Sequence, residues 1–164
     1  MPCYKGNSKA FLFMEKIDEL DKKILNIIRE NARMPIQEVA DACKVSRPAV
    51  HQRMQRMQEV GIITGSSYEI NPKALGYNIS TYIGIKLEKG SLYKQVVPQL
   101  KEIPEIVECH FTLGPYTILI KLYAKNDEHL MELLNKKIQE IDGVTSTETL
   151  MSLEQSIKRD LEIK

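Results

Sequence analysis

The 164-residue sequence has no tryptophan, three phenylalanines and three cysteines. Cys3, Cys43 and Cys109 are odd in number, far apart and without a CxxC pair. That excludes a disulfide framework and a zinc knuckle. His51, His110 and His129 are too scattered for a metal centre. No Ser/His/Asp set and no phosphate-cradling glycine loop is present, so no catalytic residue, metal or cofactor is expected. No apolar run approaches the roughly 18 residues of a membrane span. Phe11-Leu12-Phe13-Met14 is too short for a secretory core of about 7–15 residues. A cytoplasmic protein without a membrane partner is expected. Apolar residues at 43% and charged residues at 27% exclude a disordered or low-complexity chain.

Net charge is only +1, but its distribution is informative. Residues 1–65 hold 11 Lys+Arg against 8 Asp+Glu, and five of the six arginines: Arg29, Arg33, Arg47, Arg53 and Arg56. Residues 66–164 hold 12 against 14. A basic N-terminal module and a near-neutral C-terminal one follow. Arginine suits bidentate contacts to phosphate and guanine.

Residues 1–14 lack periodicity and contain Pro2, Gly6 and Asn7, which predicts a flexible tail, with Met14 as an alternative start. From Ile17 the helical period is clear: Ile17, Leu20, Ile24, Ile27 and Ile28 recur at spacings of three and four. Asp18 and Asp21 sit where carboxylates favour a helix start. Pro35 suits the first turn of a second helix, with Ile36, Val39, Ala40 and Cys43 inward, ending near Lys44. Ser46 is a good N-cap for a third helix, with Pro48 in its first turn and an end near Val60. Val50, Met54 and Met57 share its core face. Pro48, Gln52, Gln55 and Arg56 point away, flanked by Ala49 and His51, while Arg53 lies nearer the core edge. Residues 44–58 contain no acid.

A short helix, a three-residue turn and a basic, glutamine-rich helix describe a helix-turn-helix over residues 15–63. Glutamine pairs with adenine and arginine with guanine, each at two atoms. The helix start with Ser46 suits a phosphate. Ser46, Arg47, Pro48, His51, Gln52, Arg53, Gln55 and Arg56 form the candidate surface for double-stranded DNA. A solvated face of an ordinary helical bundle is the competing reading. Lys44 occupies a turn position that often holds glycine, which counts against the motif.

Residues 64–78 read as a linker with one short extended segment ending at Asn71-Pro72. Ile79–Leu87 alternates as a half-buried strand. Ser91 is expected to cap a helix with Leu92, Val96, Val97 and Leu100 inward. Strands over 106–113 and 117–124 flank the Gly114-Pro115 turn. Asp127 opens a helix with Leu130, Leu133, Leu134, Ile138 and Ile141 inward, and 144–153 is the last strand. The order βαββαβ over 79–164 is the ferredoxin-like pattern. Two E-I-x-x-[IV] echoes, 38 residues apart at Glu102 and Glu140, fit its pseudo-symmetry. The helix-free sheet face, with Tyr82 and Lys86, is expected to pair two copies. Two helix-turn-helix units then meet a palindrome with half-sites about 34 Å apart, or a multiple. Cys43, Cys109, Met54 and Met57 are expected to fill core space, and His129 to lie on a helix surface.

The ordered stretches Leu20-Asp21-Lys22-Lys23-Ile24-Leu25, Val45-Ser46-Arg47-Pro48-Ala49-Val50, Arg53-Met54-Gln55-Arg56-Met57 with Gly61-Ile62-Ile63, Asn71-Pro72, Leu75-Gly76, Glu108-Cys109-His110 and Gly114-Pro115-Tyr116 resemble the Lrp/AsnC, or feast/famine, family of transcriptional regulators. The resemblance implies an α+β protein: a winged helix-turn-helix joined by a hinge strand to an effector-binding, dimerising domain. It implies homodimers that assemble further, often to octamers. It implies an amino-acid effector near Gly114, Tyr116 and Thr117, bordered by Leu150 and Ser152. The family turn commonly carries a second Asp that aligns with Thr117, and a hydroxyl replaces that carboxylate here. Gly114-Pro115 reads equally as a plain hairpin turn. An effector-independent DNA-coating protein, and a tetrapyrrole-modifying enzyme of similar architecture, are the remaining alternatives.

Overall fold

The computed structural model describes residues 17–163; the tail expected at 1–14 and the alternative start at Met14 lie outside them. The described chain divides into two compact units, residues 17–68 together with 159–163, and residues 69–158. The expected boundaries differ in two places. The first unit extends past residue 63 to 68, and the last residues leave the C-terminal unit for the N-terminal one.

The first unit is three helices: α1 (Glu19–Glu30), α2 (Ile36–Cys43) and α3 (Arg47–Glu59). Asp18 and Asp21 form a reciprocal capping box that starts α1. Ser46 Oγ accepts the Ala49 N–H at 3.4 Å to start α3. Ile24, Leu25, Val39, Ala40, Cys43, Val50 and Met57 are buried together. Ala40 has no exposure, so α2 and α3 approach closely across it. The turn between them reverses at Lys44, the one non-glycine at positive φ among the described residues (φ 58°, ψ 43°). Lysine occupies the left-handed conformation there, and the N–H groups of Lys44 and Val45 bond back to α2. The lack of glycine did not prevent the turn.

Residues 64–71 form no strand within the chain, and Pro72–Leu75 makes a 3₁₀ turn. The expected hinge strand therefore has no ladder inside one chain, since a lone extended segment has no partner for its N–H and C=O groups.

The second unit is a four-stranded antiparallel sheet with two helices. Its elements are β1 (Ile79–Leu87), α4 (Tyr93–Lys101), β2 (Ile106–Phe111), β3 (Ile118–Ala124), α5 (Asp127–Glu132) and β4 (Val144–Met151), in sheet order β2-β3-β1-β4. This is the ferredoxin-like arrangement. Ile83, Ile85, Ile118, Ile120 and Leu122 bury one sheet face against Val96, Leu100, Leu130, Leu133 and Ile138. After α5, Leu133–Ile138 widens to a π-helix, closed by Gln139 N–H on Leu134 C=O. The wider turn keeps Leu133 and Ile138, five positions apart, both on the core.

Two expectations need correction. Ser91 does not cap α4: it lies in a 3₁₀ turn, Gly90–Leu92, and α4 begins at Tyr93 without a side-chain cap. His129 is more than a surface residue. Its Nδ1 accepts the Lys125 N–H at 3.3 Å, and its Nε2 lies 3.5 Å from the half-buried Glu105.

Candidate functional site

Helix α3 brings the candidate nucleic-acid surface together. Ser46, Arg47, Pro48, His51, Gln52 and Gln55 are exposed along it, whereas Val50 and Met57 are buried. The first turn carries no acid. Gln55 Nε2 donates to Glu59 Oε1 at 3.0 Å, which orients its amide at the helix end.

Arg53 and Arg56 sit differently. Arg53 Nη1 donates to Asp18 Oδ2 at 2.6 Å and to Asp21 Oδ1 at 2.8 Å. Arg56 Nη2 donates to Asp21 Oδ2 at 2.6 Å. Asp21 is wholly buried, while the two arginine side chains keep 30% and 43% of their exposure. The same Asp21 Oδ2 also accepts the Asp18 N–H at 3.1 Å. A buried carboxylate needs this many donors to hold its charge out of water. The wheel of α3 placed Arg56 on the outward face; the acid that turns it inward lies 35 residues earlier. In the free chain Arg56 ties α3 to α1 while its side chain stays partly exposed. Arg53 reaches sideways to the same carboxylates.

These pairs leave a mark on the titration of Asp18. The Asp21 N–H and then the Arg53 guanidinium hold its carboxyl below the ordinary 3.8. Arg53 is raised in turn, chiefly by Asp18. The signal missed in the sequence was Asp18 and Asp21, read only as helix-start carboxylates.

The second unit holds the effector candidates around the hairpin between β2 and β3. Gly114 is exposed with φ 155°, a conformation open to glycine. Thr117 is fixed to β1: its N–H donates to Ile85 C=O at 2.9 Å, and its hydroxyl accepts the Leu87 N–H at 3.5 Å. Tyr116 lies flat on Gly84, where an added Cβ would stand 2.4–2.6 Å from three ring atoms. Its hydroxyl bonds Glu148, which with burial raises the phenol above 10. Leu150 is exposed on β4, and the Ser152 N–H closes that strand's end on Ser80 C=O at 2.9 Å. Glu148 was not foreseen, because its approach to Tyr116 depends on the β1–β4 register.

The helix-free sheet face carries half-buried Tyr82, Leu119 and Tyr123 around Lys121. The Lys121 ammonium stands 5.5 and 5.8 Å from the Tyr82 and Tyr123 ring centres and 3.4 Å from Glu108. Cys109 faces the opposite side, and burial raises its thiol. Among the described residues, no group of His, Cys, Asp and Glu is arranged to hold a metal, and no helix is long and apolar enough to cross a membrane.

Comparison with known proteins agrees with both units. Residues 17–64 match the profile described as winged helix-turn-helix DNA-binding, and residues 80–161 match the Lrp/AsnC ligand binding domain. The regulatory protein AsnC of Haemophilus influenzae is 38% identical over 148 residues, 90% of this chain and 99% of the relative. The solved structure of Escherichia coli AsnC superposes with a TM-score of 0.85 at 37% identity, covering 90% of this chain and 99% of that one. A feast or famine regulatory protein from M. tuberculosis, solved with L-methionine, superposes at 0.83 and 23% identity over 91% and 100% of the two chains.

Proposed function

This chain belongs to the Lrp/AsnC family of DNA-binding transcriptional regulators, and from that premise we propose how it engages DNA and its effector. Helix α3 enters the major groove with Arg47, His51, Gln52 and Gln55 toward base edges. Ser46 and the helix start meet a phosphate, and Pro48 sets the entry of the first turn. Arg53 and Arg56 hold α3 at the angle that presents this face.

The observation that carries the reading is the exposed surface of α3, acid-free through Gln58, beside two arginines bound to Asp18 and Asp21. A surface that presents cations and donors with no acid between residues 44 and 58 suits the phosphate backbone. The test is fluorescence anisotropy with a duplex from the region upstream of its own gene, across salt concentrations. Arg47→Ala and Gln52→Ala each weaken binding more than tenfold with the helical content intact. Unchanged affinity for both would remove α3 from the groove.

Two copies pair through the face bearing Tyr82, Lys121 and Tyr123. That dimer presents two α3 helices to half-sites about 34 Å apart or a multiple of it. Further assembly to an octamer is the family expectation. The effector is an amino acid at the hairpin of Gly114, Tyr116 and Thr117, bordered by Leu150 and Ser152. The support is the ligand-binding-domain match and the L-methionine held by the M. tuberculosis relative. Thermal shift against the twenty amino acids tests this. A stabilised transition with one of them supports a sensor, and none favours a DNA-coating protein that needs no effector.

A further inference from the structure

Helix α1 also receives the far end of the chain. Arg29 Nη1 donates to the carbonyl oxygen of Leu161 at 2.8 Å, and Asn26 Nδ2 donates to that of Ile163 at 3.4 Å. Ile163 is half-buried and packs against the apolar cluster of the helix-turn-helix. It also borders an open groove along α1 with Lys23, Asn26, Ile27 and Glu30.

The pattern of these contacts is specific. Residues 26 and 29 stand one turn apart on the same side of a helix. Carbonyls two residues apart point the same way along an extended segment. A pair of helix donors therefore grips alternate carbonyls of a passing chain. The Leu161 side chain takes no part and is 89% exposed. The main chain is recognised at Leu161 and Ile163, and Ile163 also serves as an apolar anchor.

We propose that residues 159–163 are a strap: the chain's own C-terminal end docks on α1 and completes the DNA-binding unit. Its regulatory meaning rests on the DNA-binding reading above; the docking itself does not. Helix α1 carries the strap through Asn26 and Arg29 and carries the grip on α3 through Asp18 and Asp21. Only Leu153–Lys158 separates the strap from Ser152 at the end of β4. The strap thus rests on the helix that positions α3, and residues 153–158 connect it in sequence to β4.

Hydrogen–deuterium exchange on the full chain, without DNA, tests the docking apart from any DNA reading. Ending the chain at Lys158, Ile163→Asp and Arg29→Ala each speed amide exchange in residues 27–31 about threefold or more, leaving β1 and β3 unchanged. Leu161→Ala changes nothing, and Ile163→Leu keeps the protection. The protection is also independent of protein concentration. Equal exchange in the shortened chain overturns the proposal. So does a Leu161→Ala effect as large as that of Ile163→Asp, or protection lost on dilution, which would assign the docked end to a second copy.

Discussion

Asp21 is the residue that most constrains the DNA-binding unit, because it is a fully buried carboxylate whose partners come from two helices. Removing it takes from Arg53 and Arg56 the buried carboxylate they share, while Arg53 keeps its bond to Asp18. Breaking a buried ion pair costs about 3–5 kcal/mol. Both arginines keep solvent, so Asp21→Ala is expected below that range, at about 2–3 kcal/mol, read as a lowered urea midpoint of the helical transition. Arg56→Ala weakens DNA binding through loss of this anchor, and the loss scales with the loss of stability. A large loss of affinity at unchanged stability would instead restore Arg56 to the DNA surface. The titration of Asp18 gives a second prediction. Its folded value lies below 3.8, so its stabilising share is present above that value and disappears as pH falls through the folded value. Helical circular dichroism followed below pH 4 shows this loss, and Asp18→Asn, which keeps the cap, flattens it. Glu148 makes the matching case in the second unit: Glu148→Gln brings the Tyr116 phenol back toward 10 in an ultraviolet titration.

Among the elements, the turn between α2 and α3 shows where local chemistry and fold disagree. Lys44 holds a left-handed conformation that costs a side-chain-bearing residue about 1–2 kcal/mol. Lys44→Gly relieves that strain and gives back part of it as unfolded-state entropy, for a net gain of about 0.5–1 kcal/mol, seen as a rise in melting temperature. A fall would mean that Lys44 makes a stabilising contact beyond the turn. The helices were legible because periodicity is local: Ile17, Leu20, Ile24 and Ile27 announce α1, and Ser46 announces α3. The strands were legible for the same reason, with Ile83 and Ile85 alternating against Tyr82 and Gly84. What was not legible depends on distance in sequence. The inward turn of Arg56 is set by Asp21, and the place of Tyr116 by a Gly84 with no side chain to refuse it. Likewise the strap at Ile163 is joined to a helix some 137 residues earlier. Gly84→Ala forces the Tyr116 ring off the sheet, at about 1–3 kcal/mol for the overpacked position.

At the scale of the whole molecule, the chain couples a helix-turn-helix to a one-sided sheet. In the proposed dimer a second copy covers the sheet face with Tyr82, Leu119 and Tyr123, and each copy adds one α3. Binding is therefore expected to depend on helical phase. Inserting five base pairs between half-sites turns them to opposite faces of the duplex and abolishes tight binding, whereas inserting a full turn of about 10 base pairs largely restores it. The most direct single measurement is the affinity of the Gln52→Ala variant for its operator and for operators carrying each single base change. Loss of more than tenfold affinity, with the variant blind to substitution at one base pair that the parent protein distinguishes, is the predicted result. A variant that keeps the parent's affinity and its full base preference would show that the exposed face of α3 does not read DNA.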